Sequence, residues 1–361
     1  MTQHDSSSRM HLPRIISWNT TFSCNLRCGH CYLNAGGKEG NELNTDEGKR
    51  IINQIAEVSQ PILVLSGGEP LLRRDIFELA EYGVKKGLRI VMGTNGTLIT
   101  DEVAGRLKSG GISKVGISLD SIKPEKHDSL RGFNGAWRLT MQGIEACSRI
   151  NLDFQIHTTV TRDNYDEIDE IIDLAQQLGA SDFHLFFLVP TGRAGTAKGI
   201  TAEMCEKMIH HILEQRGRHS FKVKPTCAPQ YVRIAKEKGI GLDRWGRGCL
   251  AGVNYCRIYP TGEVTPCPYL SINVGDLRQK SFKEIWFNSE VLRLLRDVKN
   301  LKGRCGICKY QEMCGGCRAR AYGHSNPLVV CGGLTPSSEI SGDYLDEDPF
   351  CTYNPKEFEG D

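Results

Sequence analysis

Short apolar runs alternate with amphipathic stretches from Arg14 to about Arg216. The runs cover residues 14–19, 62–66, 88–92, 113–119, 153–160 and 182–188, and between them apolar residues recur at helical spacing. That alternation predicts six parallel strands joined by helical crossovers, an α/β arrangement. The first crossover helix opens at Asn44-Thr45-Asp46-Glu47, a variant of the capping box. Six strands are too few for a closed eight-stranded barrel. Each strand ends in polar or glycine-containing sequence, where α/β folds carry their chemistry.

Beyond Thr226 the pattern changes to dense cysteine, glycine and short turns, which predicts a second domain. The organisation expected is a disordered leader over 1–13, an α/β core over 14–220 and a cysteine-rich domain over 221–361. Apolar runs on either side of Pro260-Thr261-Gly262 predict a hairpin bounded by Cys256 and Cys267. Eight thiols of this half are candidate cluster ligands: Cys249, Cys256, Cys267, Cys305, Cys308, Cys314, Cys317 and Cys351. They are enough for two fully ligated cubane clusters, and the Cys-x2-Cys pairs alone also permit zinc ribbons. Residues 323–341 read as a surface loop whose Cys331 ligates nothing. Cys147 and Cys205, on predicted helices, read as small core residues. Cys227 is read either as a thiol near substrate where the domains meet or as a buried structural one.

The first strand runs into Cys24, Cys28 and Cys31. Electron-transfer cubanes take four thiolates, so three on one loop leave an iron free for a substrate or cofactor. The triplet alone is also compatible with zinc or with three unrelated thiols. The second strand runs into Gly67-Gly68-Glu69-Pro70, where glycines let a ligand approach the backbone closely.

These two motifs, in this order on successive strands, resemble the radical S-adenosylmethionine (SAM) superfamily. The resemblance implies a partial (β/α)6 TIM-like barrel, open on one side for large substrates. It also implies a 4Fe-4S cluster on Cys24, Cys28 and Cys31 whose free iron chelates SAM, with Gly67 to Pro70 contacting the SAM amino group. By position, Ser118, Asp120 and Arg162 are nominated for the SAM ribose and carboxylate. His127 and Arg131 look like a recurrent element of the superfamily, although a surface loop is the plainer reading. His157 and His184 read as structural residues of apolar strands.

The cysteine-rich half resembles the SPASM extension of such enzymes. Carried over residue by residue, Cys249, Cys256, Cys267 and Cys317 would hold one auxiliary 4Fe-4S cluster, and Cys305, Cys308, Cys314 and Cys351 a second. The spacing Cys314-Gly-Gly-Cys317 is one residue shorter than is common in the family, which leaves one or two auxiliary clusters open. Within the SPASM group, 157–164, 186–194, 225–229, 247–250 and 314–322 are similar to the tetrapyrrole branch. That likeness implies oxidative decarboxylation of two propionates of iron-coproporphyrin III to vinyls, a reaction of the siroheme-dependent heme pathway. The related didecarboxysiroheme deacetylase, heme d1 maturase and SPASM peptide maturases are the alternatives. Arg193, after the apolar 186–188, is the first candidate to pair with a porphyrin carboxylate, with Cys227 near substrate; Lys222, Lys224, Arg318 and Arg320 are weaker candidates.

Composition narrows the partners. The chain has 361 residues and 15 cysteines, and 45 Lys and Arg against 43 Asp and Glu give a net charge of +2. With no basic bias, nucleic acid is not an expected partner. No apolar run is long enough for a membrane span, and none after Met1 reads as a signal peptide. Thiols in this number without an export signal predict a cytoplasmic, metal-bearing enzyme. The reaction class calls for an external electron donor of flavodoxin or ferredoxin type.

Overall fold

The structure is a computed structural model and describes residues 11–37, 40–196, 199–241, 247–325 and 342–358. Cys331, most of the expected 323–341 loop and the first ten residues of the expected leader lie outside the described residues.

All six predicted strands form: β1 (Ile15–Asn19), β2 (Ile62–Ser66), β3 (Arg89–Thr94), β4 (Val115–Ser118), β5 (Phe154–Val160) and β6 (Asp182–Phe187). Each pairs in parallel with the next in sequence. The crossovers are α1 (Thr45–Val58), α2 (Ile76–Lys85), α3 (Asp101–Ser109), the pair α4 (Pro124–Arg131) and α5 (Ala136–Arg149), and α6 (Ile168–Gln177). At the start of α1, Glu47 N donates to Asn44 Oδ1 at 2.9 Å and Asn44 N donates to Glu47 Oε2 at 2.8 Å, the two halves of a capping box.

Side-chain alternation along the strands sets up the site. In β5, Phe154, Ile156, Thr158 and Val160 are buried, while Gln155, His157 and Thr159 are half-buried. Phe154, Ile156 and Val160 pack into the same core as Ile51, Ile52 and Ile55 of α1 and Trp18 of β1. Each such aliphatic side chain contributes about 1.5–3 kcal/mol on burial. The alternate set turns to the opposite face of the curved sheet, where it lines one large cavity.

The sheet is longer than expected: β7 (Lys222–Thr226), β8 (Tyr255–Ile258), β9 (Glu263–Thr265) and β10 (Gly275–Asp276) join it, giving ten strands among the described residues in the order β10-β9-β8-β1-β2-β3-β4-β5-β6-β7. β7 (Lys222–Thr226) lies past the expected end of the core at residue 220 and pairs in parallel with β6. Pro225 is tolerated there because β7 ends the sheet. The expected hairpin forms as β8 (Tyr255–Ile258) and β9 (Glu263–Thr265), followed by β10 (Gly275–Asp276). β8 also docks in parallel on the free edge of β1, satisfying backbone groups that an open edge would expose. The radical SAM-like sheet and the cysteine-rich segment therefore share one hydrogen-bonded ladder. Among the described residues, no helix is long and apolar enough to cross a membrane.

Candidate active site

The cavity enclosed by the curved sheet has a volume of about 1070 Å³ and is bounded at the carboxyl ends of the strands by the cysteine loop. Cys24, Cys28 and Cys31 all face it. The loop is held from three sides. First, the β1–β2 ladder continues past the strand ends: Gly68 N donates to Thr21 O and Glu69 N to Ser23 O, both at 2.8 Å. A Cβ on Gly67 would lie 2.7 Å from Thr21 O, and one on Gly68 would lie 2.3 Å from Ser23 O. The glycines are thus required by the close passage of the cysteine loop itself, a reason the motif alone did not disclose. Second, Arg27 N and Gly29 N donate to Arg131 O and Leu130 O at the end of α4. Third, Arg193 N donates to Cys31 O, Arg193 Nε to Cys28 O and Nη1 to Ala35 O, at 2.9–3.0 Å.

Arg193, expected as a substrate clamp, therefore staples the cysteine loop. Glu69 and Pro70 are buried and do not face the cavity. Glu69 accepts from Thr94 Oγ1 at 2.7 Å, Asn95 N at 2.9 Å and Leu71 N at 3.2 Å. Burial pushes its carboxyl up to about 7 against the pull of those bonds. It ties the end of β2 to the end of β3, and Asn95 beside it does face the cavity.

Of the three residues nominated for the SAM ribose and carboxylate, only Ser118 faces the cavity. Asp120 is 1% exposed, is ion-paired to Arg131 and accepts from Thr159 N at 2.8 Å. Arg162 is exposed and donates to Gly199 O at 2.9 Å, outside the cavity. His127 and Arg131 lie not on a surface loop but in α4, both buried. Asp120 N donates to His127 Nδ1 at 3.2 Å, and Arg131 faces the cavity with Nη1 3.8 Å from Cys28 Sγ. His157 and His184 stack with ring centroids 5.2 Å apart on the cavity wall, and burial lowers both.

The cysteine-rich segment closes the same cavity. Cys249, Cys267 and Cys317 line it, and so does Cys227. Cys256 does not: it is fully buried in β8 opposite Ile16 of β1. Cys305, Cys308, Cys314 and Cys351 line a separate small cavity of about 30 Å³. Arg318 and Arg320, expected as weaker clamps, are 2% and 3% exposed and donate to backbone carbonyls. Arg247, not among the expected clamps, lines the large cavity with Nε buried and unpaired. The adjoining Gly248-Cys249 was the signal that could have found it.

The residues fit an iron-sulfur cluster with one iron left for a non-protein ligand. Three thiols of one loop face one cavity, and beside them His30 Nδ1 and Arg131 Nε are buried without a partner in the protein. Buried polar atoms are normally paired, so this wall suits a polar guest. Burial pushes Cys24 up to about 11 and also raises Cys28, where Arg131 opposes it. Thiols in such a setting ionise on metal binding. Among the described residues, no three His, Cys, Asp or Glu side chains converge as they would around a single ion; a cluster asks for a looser set, since each thiolate sits on its own iron.

Comparison with known proteins agrees with both halves. Residues 18–175 match the radical SAM superfamily, and 249–318 match an iron-sulfur cluster-binding domain, SPASM. The AdoMet-dependent heme synthase of Methanosarcina barkeri is 42% identical over 95% of this chain and 97% of its own length. The Fe-coproporphyrin III synthase of the same organism is 32% identical over 84% of this chain and 82% of its own. Among solved structures, Streptococcus suis SuiB bound to S-adenosylmethionine superposes with a TM-score of 0.72 at 15% identity, over 95% of this chain and 78% of that one, a likeness of fold. The chain is an α/β enzyme that belongs to the radical SAM superfamily, a SPASM-bearing member of the family that includes the AdoMet-dependent heme synthases.

Proposed function

We propose that the protein is an oxidative decarboxylase of iron-coproporphyrin III, converting two of its propionates to vinyl groups to give heme b. The observation that carries this reading is that one cavity touches both thiol sets, the Cys24 loop at one wall and Cys249, Cys267 and Cys317 at another. A substrate held there can react at the first wall and give up an electron at the second. Identity of 42% to a heme synthase against 32% to a coproporphyrin synthase supports the choice of substrate.

In this reading Cys24, Cys28 and Cys31 hold the SAM-binding 4Fe-4S cluster. When bound, that cluster and SAM supply a deoxyadenosyl radical able to take a hydrogen atom from the propionate carbon next to the ring. The protein's own contribution is position and exclusion. Phe186 and Leu188 give the cavity an apolar wall for a macrocycle, while Arg247, Lys222 and Lys224 bring positive charge to the same lining. Arginine pairs with carboxylates at two points, and the unpaired Nε of Arg247 makes it the first choice of clamp. Ser118 and Asn95 face the end of the cavity near the loop and are suited to polar groups of SAM. Each propionate loses carbon dioxide and two hydrogens, so the electron left behind needs an acceptor, which the thiols of the second wall are suited to hold. The Cys305, Cys308, Cys314 and Cys351 set would hold the second auxiliary cluster, and a flavodoxin or ferredoxin in the cytoplasm would supply the reducing electron.

Anaerobic incubation with iron-coproporphyrin III, SAM and dithionite, followed by mass spectrometry, tests the reading. Loss of carbon dioxide and two hydrogens from each of two propionates is expected, with methionine and deoxyadenosine formed alongside. SAM cleavage that leaves the porphyrin unchanged would reject this substrate.

A further inference from the structure

The auxiliary thiols on the cavity wall do not follow the partition that the family spacing implies. Cys227 follows β7 with φ 60°, left-handed backbone that residues with a Cβ rarely adopt. Such strain persists where the surroundings over-determine it, often at functional sites. Here the surroundings are visible. Arg320 Nη1 donates to Cys227 O at 2.6 Å, and Nη2 of the same guanidinium donates to Phe187 O and Leu188 O at 3.0 Å. The turn is thereby locked against the end of β6. The segment that carries Cys249 is packed on the same turn, since a Cβ on Gly248 would lie 2.5 Å from Pro229 O.

Cys227 shares its cavity wall with Cys249, Cys267 and Cys317. Apart from burial, the charges that act on it are those of Cys317, Arg320, Cys267 and Cys249. Among the described residues, no thiol acts on Cys256. It is fully buried, paired in register with Ile16 and absent from the cavity lining, and the charged group that acts on it is Arg296. We propose that Cys227, in place of Cys256, is the fourth ligand of the auxiliary 4Fe-4S cluster held by Cys249, Cys267 and Cys317. The proposal rests on the cluster-binding reading above. Its consequence is a cluster with every iron on a cysteine, which accepts an electron from the substrate without coordinating it.

The test starts from the Cys24→Ala/Cys28→Ala/Cys31→Ala variant, in which all remaining iron and all paramagnetic signals belong to auxiliary sites. Added to it, Cys227→Gly, which suits the left-handed backbone, is expected to remove about four irons and four sulfides per chain. If three thiols retain the cluster, its electron paramagnetic resonance spectrum changes and changes again when 2-mercaptoethanol occupies the freed iron. Cys227→Ser, which keeps the side-chain shape, alters the same signal. Cys256→Ala keeps the iron content and spectrum of the background. Either Cys227 variant matching the background in both readouts, or iron loss from Cys256→Ala, would overturn the assignment. A background protein that binds no iron at all would instead reject the cluster-binding reading.

Discussion

Asp120 and Arg131 form the buried ion pair behind the cysteine loop, and Asp120→Asn separates a structural carboxylate from a SAM ligand. The two side chains are 0% and 8% exposed. Asn keeps an acceptor for Thr159 N but leaves the Arg131 guanidinium without its counter-charge. Removing one partner of a buried pair costs about 3–5 kcal/mol. The loss reaches the loop, because the end of α4 accepts from Arg27 N and Gly29 N and Arg131 Nη1 approaches Cys28 Sγ. Urea unfolding of the metal-free protein should show that destabilisation. Asp120→Asn/Arg131→Met should be less destabilised than the sum of the single variants by about 1 kcal/mol or more, the mark of direct coupling. Burial pushes the Asp120 carboxyl up, but Arg131, His30 and His127 outweigh it and hold it below the ordinary 3.8. A depressed native value means that the stabilisation is complete above that pH and is lost as pH falls below it. The gap between wild type and Asp120→Asn should therefore persist at neutral pH and close in acid. Stability within about 0.5 kcal/mol of wild type, with weakened SAM affinity alone, would refute this reasoning and restore Asp120 as a ligand.

Three further outcomes are expected. Gly68→Ala places a Cβ 2.3 Å from Ser23 O and 2.8 Å from Phe22 O, both backbone atoms; it should cost about 1–3 kcal/mol and lower the iron bound by the Cys24 loop, read by iron analysis of the reconstituted protein. Arg193→Met removes donors to Cys28 O and Ala35 O, charged hydrogen bonds worth about 1.5–3 kcal/mol each, and should speed iron loss to a chelator while leaving the iron of the Cys305 set in place. Burial pushes Cys24 up to about 11 and Cys267 up to about 12, so these thiols stay protonated at neutral pH; anaerobic cluster assembly should still be accelerating at pH 9, where an ordinary thiol is already more than half ionised, and a rate that levels off below pH 9 would contradict the upward shift.

Local pattern carried much of the fold. The capping box at Asn44 and Glu47, the six core strands and the 256–267 hairpin all depend on residues close together in sequence, and they were legible for that reason. β7 was not, because Lys222, Lys224 and Pro225 resemble a polar turn until β6 supplies a partner. The docking of β8 on β1 joins segments far apart in the chain, and no local periodicity encodes it. The site divides in the same way. Cys24, Cys28, Cys31 and the Gly67-Gly68 turn were readable as motifs, whereas the roles of Asp120 and Arg193 depend on the chain folding back onto the cysteine loop. Arg162 looked well placed at the end of β5 but turns out to solvent toward Gly199. Cys256 reads as a cluster ligand because it lies among other cysteines, and Cys227, which precedes them, reads only as a substrate-side or structural thiol, though the fold brings Cys227 and not Cys256 to the cavity.

In the proposed function, three thiols hold a cluster and leave one of its irons open to SAM. Electron paramagnetic resonance of the reduced, oxygen-free protein, recorded with and without SAM, tests that most directly. One cluster signal should shift on addition of SAM and should be missing when Cys24, Cys28 and Cys31 are replaced by alanine. Spectra unmoved by SAM, or a SAM-responsive signal that survives the triple replacement, would contradict it.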